Sequence, residues 1–146
     1  MDQGSVSILL LIVAIMIFQG VLKESQAAMQ IRSELFAYRI PVSLVIMILP
    51  FLAGFITGIA VGFVGTSFPL IIPMFPENSL VGYLSSAALA FTFGFMGMML
   101  SPVHLCFLVT KDYYEASLIK SYRYLLLPAL SVMATVTGVF FLIQSF

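Results

Sequence analysis

The stretch TGIAVGFVGTSFP, residues 57–69, carries hydroxyls on Thr57, Thr66 and Ser67 and four residues that weaken or end helices: Gly58, Gly62, Gly65 and Pro69. A second stretch, GFMGMMLSPVHLC, residues 94–106, holds Gly94, Gly97, Ser101, Pro102 and the only histidine of the chain, His104. Neither contains Asp, Glu, Lys or Arg. Where such backbone opens, the chemistry it offers is binding. Helix N-termini present N–H groups and partial positive charge to anions, and unwound carbonyls with hydroxyls hold a hard cation such as sodium.

Other chemistries fit less well. His104 alone builds no metal site, and HExxH and CxxC patterns are absent. Ser67 and His104 form a dyad on paper, but GTSF is not a nucleophile elbow. The long apolar blocks hold no Asp or Glu, which argues against an aspartyl mechanism. The sequence therefore predicts no enzyme, no catalytic residue and no metal. His104 reads either as a neutral, hydrogen-bonded packing residue or as a proton relay or ligand, because ionisable groups at membrane depth are costly and often functional. Ser85, Ser86 and Thr92 read as interhelical or backbone hydrogen-bonders. Met96, Met98 and Met99 read as adaptable packing, and Cys106 as a small buried hydrophobe.

These residues sit in a chain built for lipid. Of its 146 residues 62% are apolar and 8% charged, against about 25% charged in a soluble domain. The mean hydropathy is +1.16. Net charge is zero, so nothing points to nucleic acid. Residues 3–22 are uncharged and match the length of a spanning helix. No Lys or Arg precedes them, which predicts a retained span rather than a cleaved signal. Residues 25–38 have helical apolar spacing with charges mostly elsewhere, and predict a short interfacial helix. Residues 123–145 predict a final span, reached through the aromatic and charged linker 111–123.

The two blocks between are too long. Residues 41–76 are uncharged, and one straight helix of that length would run about 54 Å, against about 30 Å of hydrocarbon. Unpaired backbone in lipid costs several kcal/mol, so irregular segments survive only when packed in protein or lining a wet cavity. One reading makes 41–76 a hairpin, with arms 41–57 and 68–75 and a tip at 58–67. Residues 80–110 then form a broken helix, unwound at 94–100, with Ser101 as N-cap and Pro102 at the first position of its second half. The other reading takes Gly54, Gly58 and Gly62 as a double GxxxG packing seam, with Gly94 and Gly97 also serving packing. Charge bears on the choice: Lys111, Lys120 and Arg123 predict a cytoplasmic linker. A hairpin sends the bases of 23–39 to the opposite side, whereas a crossing block gathers all six bases inside.

The order of span, interfacial helix, hairpin, broken helix and span resembles one repeat of the ion transporter superfamily, which includes dicarboxylate symporters, gluconate permeases and arsenite carriers. PFLAGFITGIAVGFVGTSFPLIIPMF and GFMGMMLSPVHLCFLVTKDYY resemble more closely the C-terminal half of a prokaryotic membrane family, the domain of unknown function 401. The resemblance implies an all-α integral membrane fold in a single domain, 1–146, that forms one transporter repeat in the plasma membrane. It implies a permease subunit or fragment for a small solute, an organic anion first, coupled to Na+ or H+ and without a cofactor. The partner would be a second repeat, supplied by an N-terminal half, another chain or a second copy. The implied site is Thr57, Gly58, Gly65, Thr66 and Ser67 facing Gly94, Gly97, Ser101 and His104. Better-known members carry Ser-Asn-Thr motifs at both places; this chain has no Asn at either, and no Arg or Lys. The alternative is a non-transport helical module that packs through its GxxxG seams.

Overall fold

Apolar sequence in lipid must satisfy its backbone internally, and helices do this within one segment. The computed structural model describes residues 3–25, 27–39, 41–76 and 79–145, and every regular element among them is helical. The helices are α1 (Gln3–Glu24), α2 (Ala27–Ala37), α3 (Val42–Thr57), α4 (Ala60–Ile71), α5 (Leu80–Met99), α6 (Leu105–Tyr113) and α7 (Leu118–Ser145). A 3₁₀ turn, Ile72–Met74, extends α4. α5 and α7 are long and apolar enough to cross a membrane.

The long block 41–76 divides at one residue. Gly58 takes a left-handed conformation, φ 65° and ψ 8°, and its N–H closes on the Gly54 carbonyl at 2.8 Å. Glycine is the residue that adopts this conformation without steric cost, and it ends helices in this way. Ile59 is extended, and α4 begins at Ala60. α4 then returns along α3. Ile46, early in α3, shares a core with Ile71 and Phe75 at the end of the return. Leu49 and Ala53 of α3 line one cleft with Thr66, Ser67 and Leu70 of α4. α1 covers α4, with Ile15 seated on Gly65 and Phe18 in that same cleft.

α5 runs beside α3 in the same direction, and three glycines bring the two backbones together. A Cβ on Gly54 would overlap the Gly94 carbonyl oxygen and lie 2.9 Å from the Met98 nitrogen. A Cβ on Gly97 would overlap the Phe51 carbonyl oxygen and lie 2.9 Å from its carbon. Such small-residue contacts are how helices associate where no hydrophobic effect drives them. Phe63, fully buried, lies across Gly94. α5 starts with a capped end, the Ser79 hydroxyl accepting from the Gly82 N–H at 3.2 Å. α7 runs back against it, from Tyr122 beside Leu100 to Phe140 in the core with Leu89. Residues 23–39 and 111–123 thus lie at opposite ends of the bundle. Three bases fall at each end, so the positive-inside rule favours neither.

Several sequence expectations need correction. The tip at 58–67 shrinks to residues 58 and 59; Gly62, Gly65, Thr66, Ser67 and Pro69 are all helical in α4. A helix keeps its hydrogen bonds, and the bare glycines are filled by neighbours: Thr57 lies 2.8 Å from where a Gly62 Cβ would stand, and Ile15 lies 2.9 Å from the Gly65 one. The unwound centre expected at 94–100 is also helix, through Met99, because Gly94 and Gly97 are spent on contact with α3 and Phe63. The helix that follows starts at Leu105, with His104 rather than Ser101 at its N-cap. Cys106 is exposed on α6, not buried.

Candidate functional site at the meeting of two helix breaks

Two interruptions of regular backbone come together. One is Gly58–Ile59, between α3 and α4; the other is residues 100–104, between α5 and α6. They are joined by a side-chain bond that spans 46 positions of sequence: His104 Nδ1 lies 2.8 Å from the Gly58 carbonyl oxygen. A carbonyl oxygen only accepts, so Nδ1–H donates. A Cβ on Gly58 would stand 3.0 Å from Val103 Cγ2 and 3.1 Å from Ser101 Oγ, so the second break is packed directly on the first. Ser101 and Gly58 are buried, and His104 is half-buried.

The second break is a built turn. The Leu100 N–H reaches the Met96 carbonyl at 3.0 Å, the Ser101 N–H the Met98 carbonyl at 3.1 Å, and the His104 N–H the Ser101 carbonyl at 3.2 Å. Ser101 Oγ accepts from the Val103 N–H at 3.3 Å. The Leu100 carbonyl accepts from the Tyr122 hydroxyl of α7 at 3.1 Å, which ties the turn to that helix. Tyr122 also packs at a tilt against Phe107 of α6, ring centres 5.2 Å apart. Tyr122 lies between Lys120 and Arg123 in sequence. The break is therefore level with the charged end of α7, not with its apolar middle.

Four helix ends converge here, two C-termini from α3 and α5 and two N-termini from α4 and α6. Neither N-terminus has a side-chain cap: Ile59 precedes α4 and His104 precedes α6. The first-turn N–H groups of both helices thus lack the intrahelical partner that later residues have. Among the described residues no cluster of three or more His, Cys, Asp or Glu exists that could hold a metal ion.

Of the nine residues singled out from sequence, Gly58, Ser101 and His104 meet at the junction. Thr57 borders it, but its hydroxyl donates to the Ala53 carbonyl at 2.8 Å. Gly65, Thr66 and Ser67 lie within α4 away from it, the Thr66 hydroxyl on the Gly62 carbonyl at 2.8 Å and that of Ser67 on the Phe63 carbonyl at 2.6 Å. Gly94 and Gly97 lie in the α3–α5 seam. Ser86 and Thr92 likewise bond backward, to the Gly82 and Ala88 carbonyls, both at 2.8 Å. Sequence reasoning missed Val103 and Tyr122. Val103 has no chemical signal at all. Tyr122 looked like one of several interfacial tyrosines, and its role rests on a contact 22 positions away.

No curated protein and no solved structure matches this chain. A family model does match, over residues 3–143, and it spans the α1–α7 order, both breaks and the junction. The chain belongs to the family described as "Protein of unknown function (DUF401)".

Proposed function

We propose that this chain is a multi-pass membrane transporter, or a repeat or subunit of one, that moves a small organic anion through a site at the junction of the two breaks. The observation that carries this reading is the bond from His104 to the Gly58 carbonyl, which holds two helix interruptions against each other. Interrupted helices whose N-termini converge are the recurring way membrane proteins hold anions without a dedicated basic side chain. In this reading α3 and α4 form a re-entrant pair, entering and leaving on one side of the membrane. α3 reaches about 24 Å, at about 1.5 Å per residue, and so spans most of a hydrocarbon core about 30 Å thick. The junction then opens near the face that carries Lys120 and Arg123, and α1, α5 and α7 cross. The outward Leu10, Leu127 and Leu130 side chains, 65%, 78% and 59% exposed, meet lipid or a second repeat.

The test is uptake into membrane vesicles from cells that produce the protein, with radiolabelled acetate, lactate, succinate and citrate. Uptake of at least one above vesicles lacking the protein is expected, together with its loss in Gly58→Leu. Stable, membrane-inserted protein with no uptake of any of the four would contradict the reading and favour a module that serves only helix packing.

A further inference from the structure

His104 holds the junction together through one of its two ring nitrogens. Its Nδ1 carries a proton in any state that keeps the bond to the Gly58 carbonyl. The neutral ring is therefore the Nδ1–H tautomer, and its Nε2 is left with a lone pair. Taking up a proton leaves the Gly58 bond in place. It turns Nε2 from acceptor into donor and adds one positive charge at the junction.

Among the described residues nothing else in the surroundings could do this. α3, α4 and the 3₁₀ turn hold no ionisable side chain. On α5 the one such group is Tyr83, which packs on Phe75 at the other end of the bundle. α6 brings Cys106, which is exposed, and Lys111, 2.7 Å from Asp112 and seven positions beyond His104. Tyr113 of α6 packs on Tyr114. α7 brings Tyr122, whose hydroxyl is given to Leu100, and Lys120, Arg123 and Tyr124, which are exposed. Among the described residues no carboxylate belongs to the junction. A proton needs one lone pair, that of Nε2, whereas sodium needs several oxygens converging on one point, and the side-chain oxygens at the junction are oriented by bonds of their own, the Thr57 hydroxyl toward the Ala53 carbonyl and Ser101 Oγ toward the Val103 N–H.

On the transporter reading above, we propose that the junction binds a small carboxylate together with a proton on His104 Nε2, so that the coupling ion is H+ and not Na+. The proton comes from the aqueous side and adds to the Nε2 lone pair. The imidazolium and a monocarboxylate then sum to zero charge, which lowers the cost of moving both through a low-dielectric path.

The chain's single histidine makes the test direct. Protein labelled with 15N-histidine, reconstituted in lipid, gives two ring nitrogen signals from His104 alone. At high pH the expected form is Nδ1–H with Nε2 unprotonated; the Nε2–H tautomer would overturn the proposal. On lowering pH Nε2 gains the proton. Acetate, lactate, succinate or citrate is expected to move the midpoint up by about one unit, a tenfold preference for the protonated form, while sodium chloride leaves it in place. Two variants separate latch from proton. His104→Asn keeps a donor where Nδ1 stood, so the melting temperature is expected to stay and the pH dependence of uptake to vanish. His104→Gln places its amide nearer Nε2, so the Gly58 bond and thermal stability are expected to be lost together. A midpoint that none of the four carboxylates moves, in vesicles that still take one of them up, overturns the proton role and leaves the transporter reading standing. A carboxylate-dependent shift without uptake supports proton-linked binding and removes only the transport.

Discussion

Gly97→Ala is expected to force α3 and α5 apart and to cost about 3 kcal/mol, at the upper end of what overpacking does. The reason is the identity of the atoms in the way. The new methyl would overlap the Phe51 carbonyl oxygen and approach its carbon at 2.9 Å and its Cα at 3.1 Å, all of them backbone. A side chain can rotate away, but a helix must move as a body. Gly54→Ala meets the same obstacle from the other face, through the Gly94 carbonyl and the Met98 nitrogen. Because both variants open one seam, their costs are expected to add to less than their sum. Gly138 and Gly20 serve as controls, since nothing lies within 4 Å of a Cβ at either place. Alanine there is expected to be neutral or stabilising, by up to about 1 kcal/mol, from helix propensity. Thermal or denaturant unfolding in mixed micelles measures all four. A Gly97→Ala protein as stable as wild type would mean that α3 and α5 do not pack in this way.

Gly58→Ala is expected to cost about 2 kcal/mol and to disturb the junction itself. The left-handed conformation penalises any residue with a Cβ by roughly 1–2 kcal/mol. The added atom also presses on Val103 Cγ2 at 3.0 Å and Ser101 Oγ at 3.1 Å, which pushes the second break away from the first. Gly58→Leu enlarges the same effect. Ile59→Ala is the neighbouring control: its side chain is 41% exposed and its backbone is ordinary extended chain, so a cost under about 1 kcal/mol is expected. If alanine at 58 were as benign as alanine at 59, α3 would not end in a left-handed turn there.

What could be read from sequence, and what could not, follows a physical line. The length of 41–76 against the thickness of a bilayer requires the block to tilt strongly, break or double back, and it breaks at Gly58. The extent of the bend was overestimated because glycine signals both helix ending and helix packing. Gly62 and Gly65 look identical to Gly58 in one dimension. Only the neighbours, Thr57 and Ile15, decide that they stay helical. The same ambiguity shifted the second break. Gly94 and Gly97 suggested unwinding at 94–100, yet they are needed against α3, and the helix runs on to Met99 before it turns. Ser101 and Pro102 resembled a helix start and instead form the turn before one. The helix itself begins after His104. The histidine was singled out by its cost in an apolar block. Its partner was not, because a glycine carbonyl 46 positions away leaves no trace in the sequence.

The contact between the two breaks runs through His104 and Gly58. Solid-state NMR distance measurement tests it most directly, on lipid-reconstituted protein carrying 15N-histidine and glycine labelled with 13C at the carbonyl. A nitrogen–oxygen distance of 2.8 Å puts the Gly58 carbonyl carbon within about 4 Å of Nδ1. The expected result is strong dephasing of the Nδ1 signal by a glycine carbonyl, absent from Gly58→Ala protein labelled in the same way. No dephasing in the wild type, or dephasing that persists in Gly58→Ala, would contradict the account.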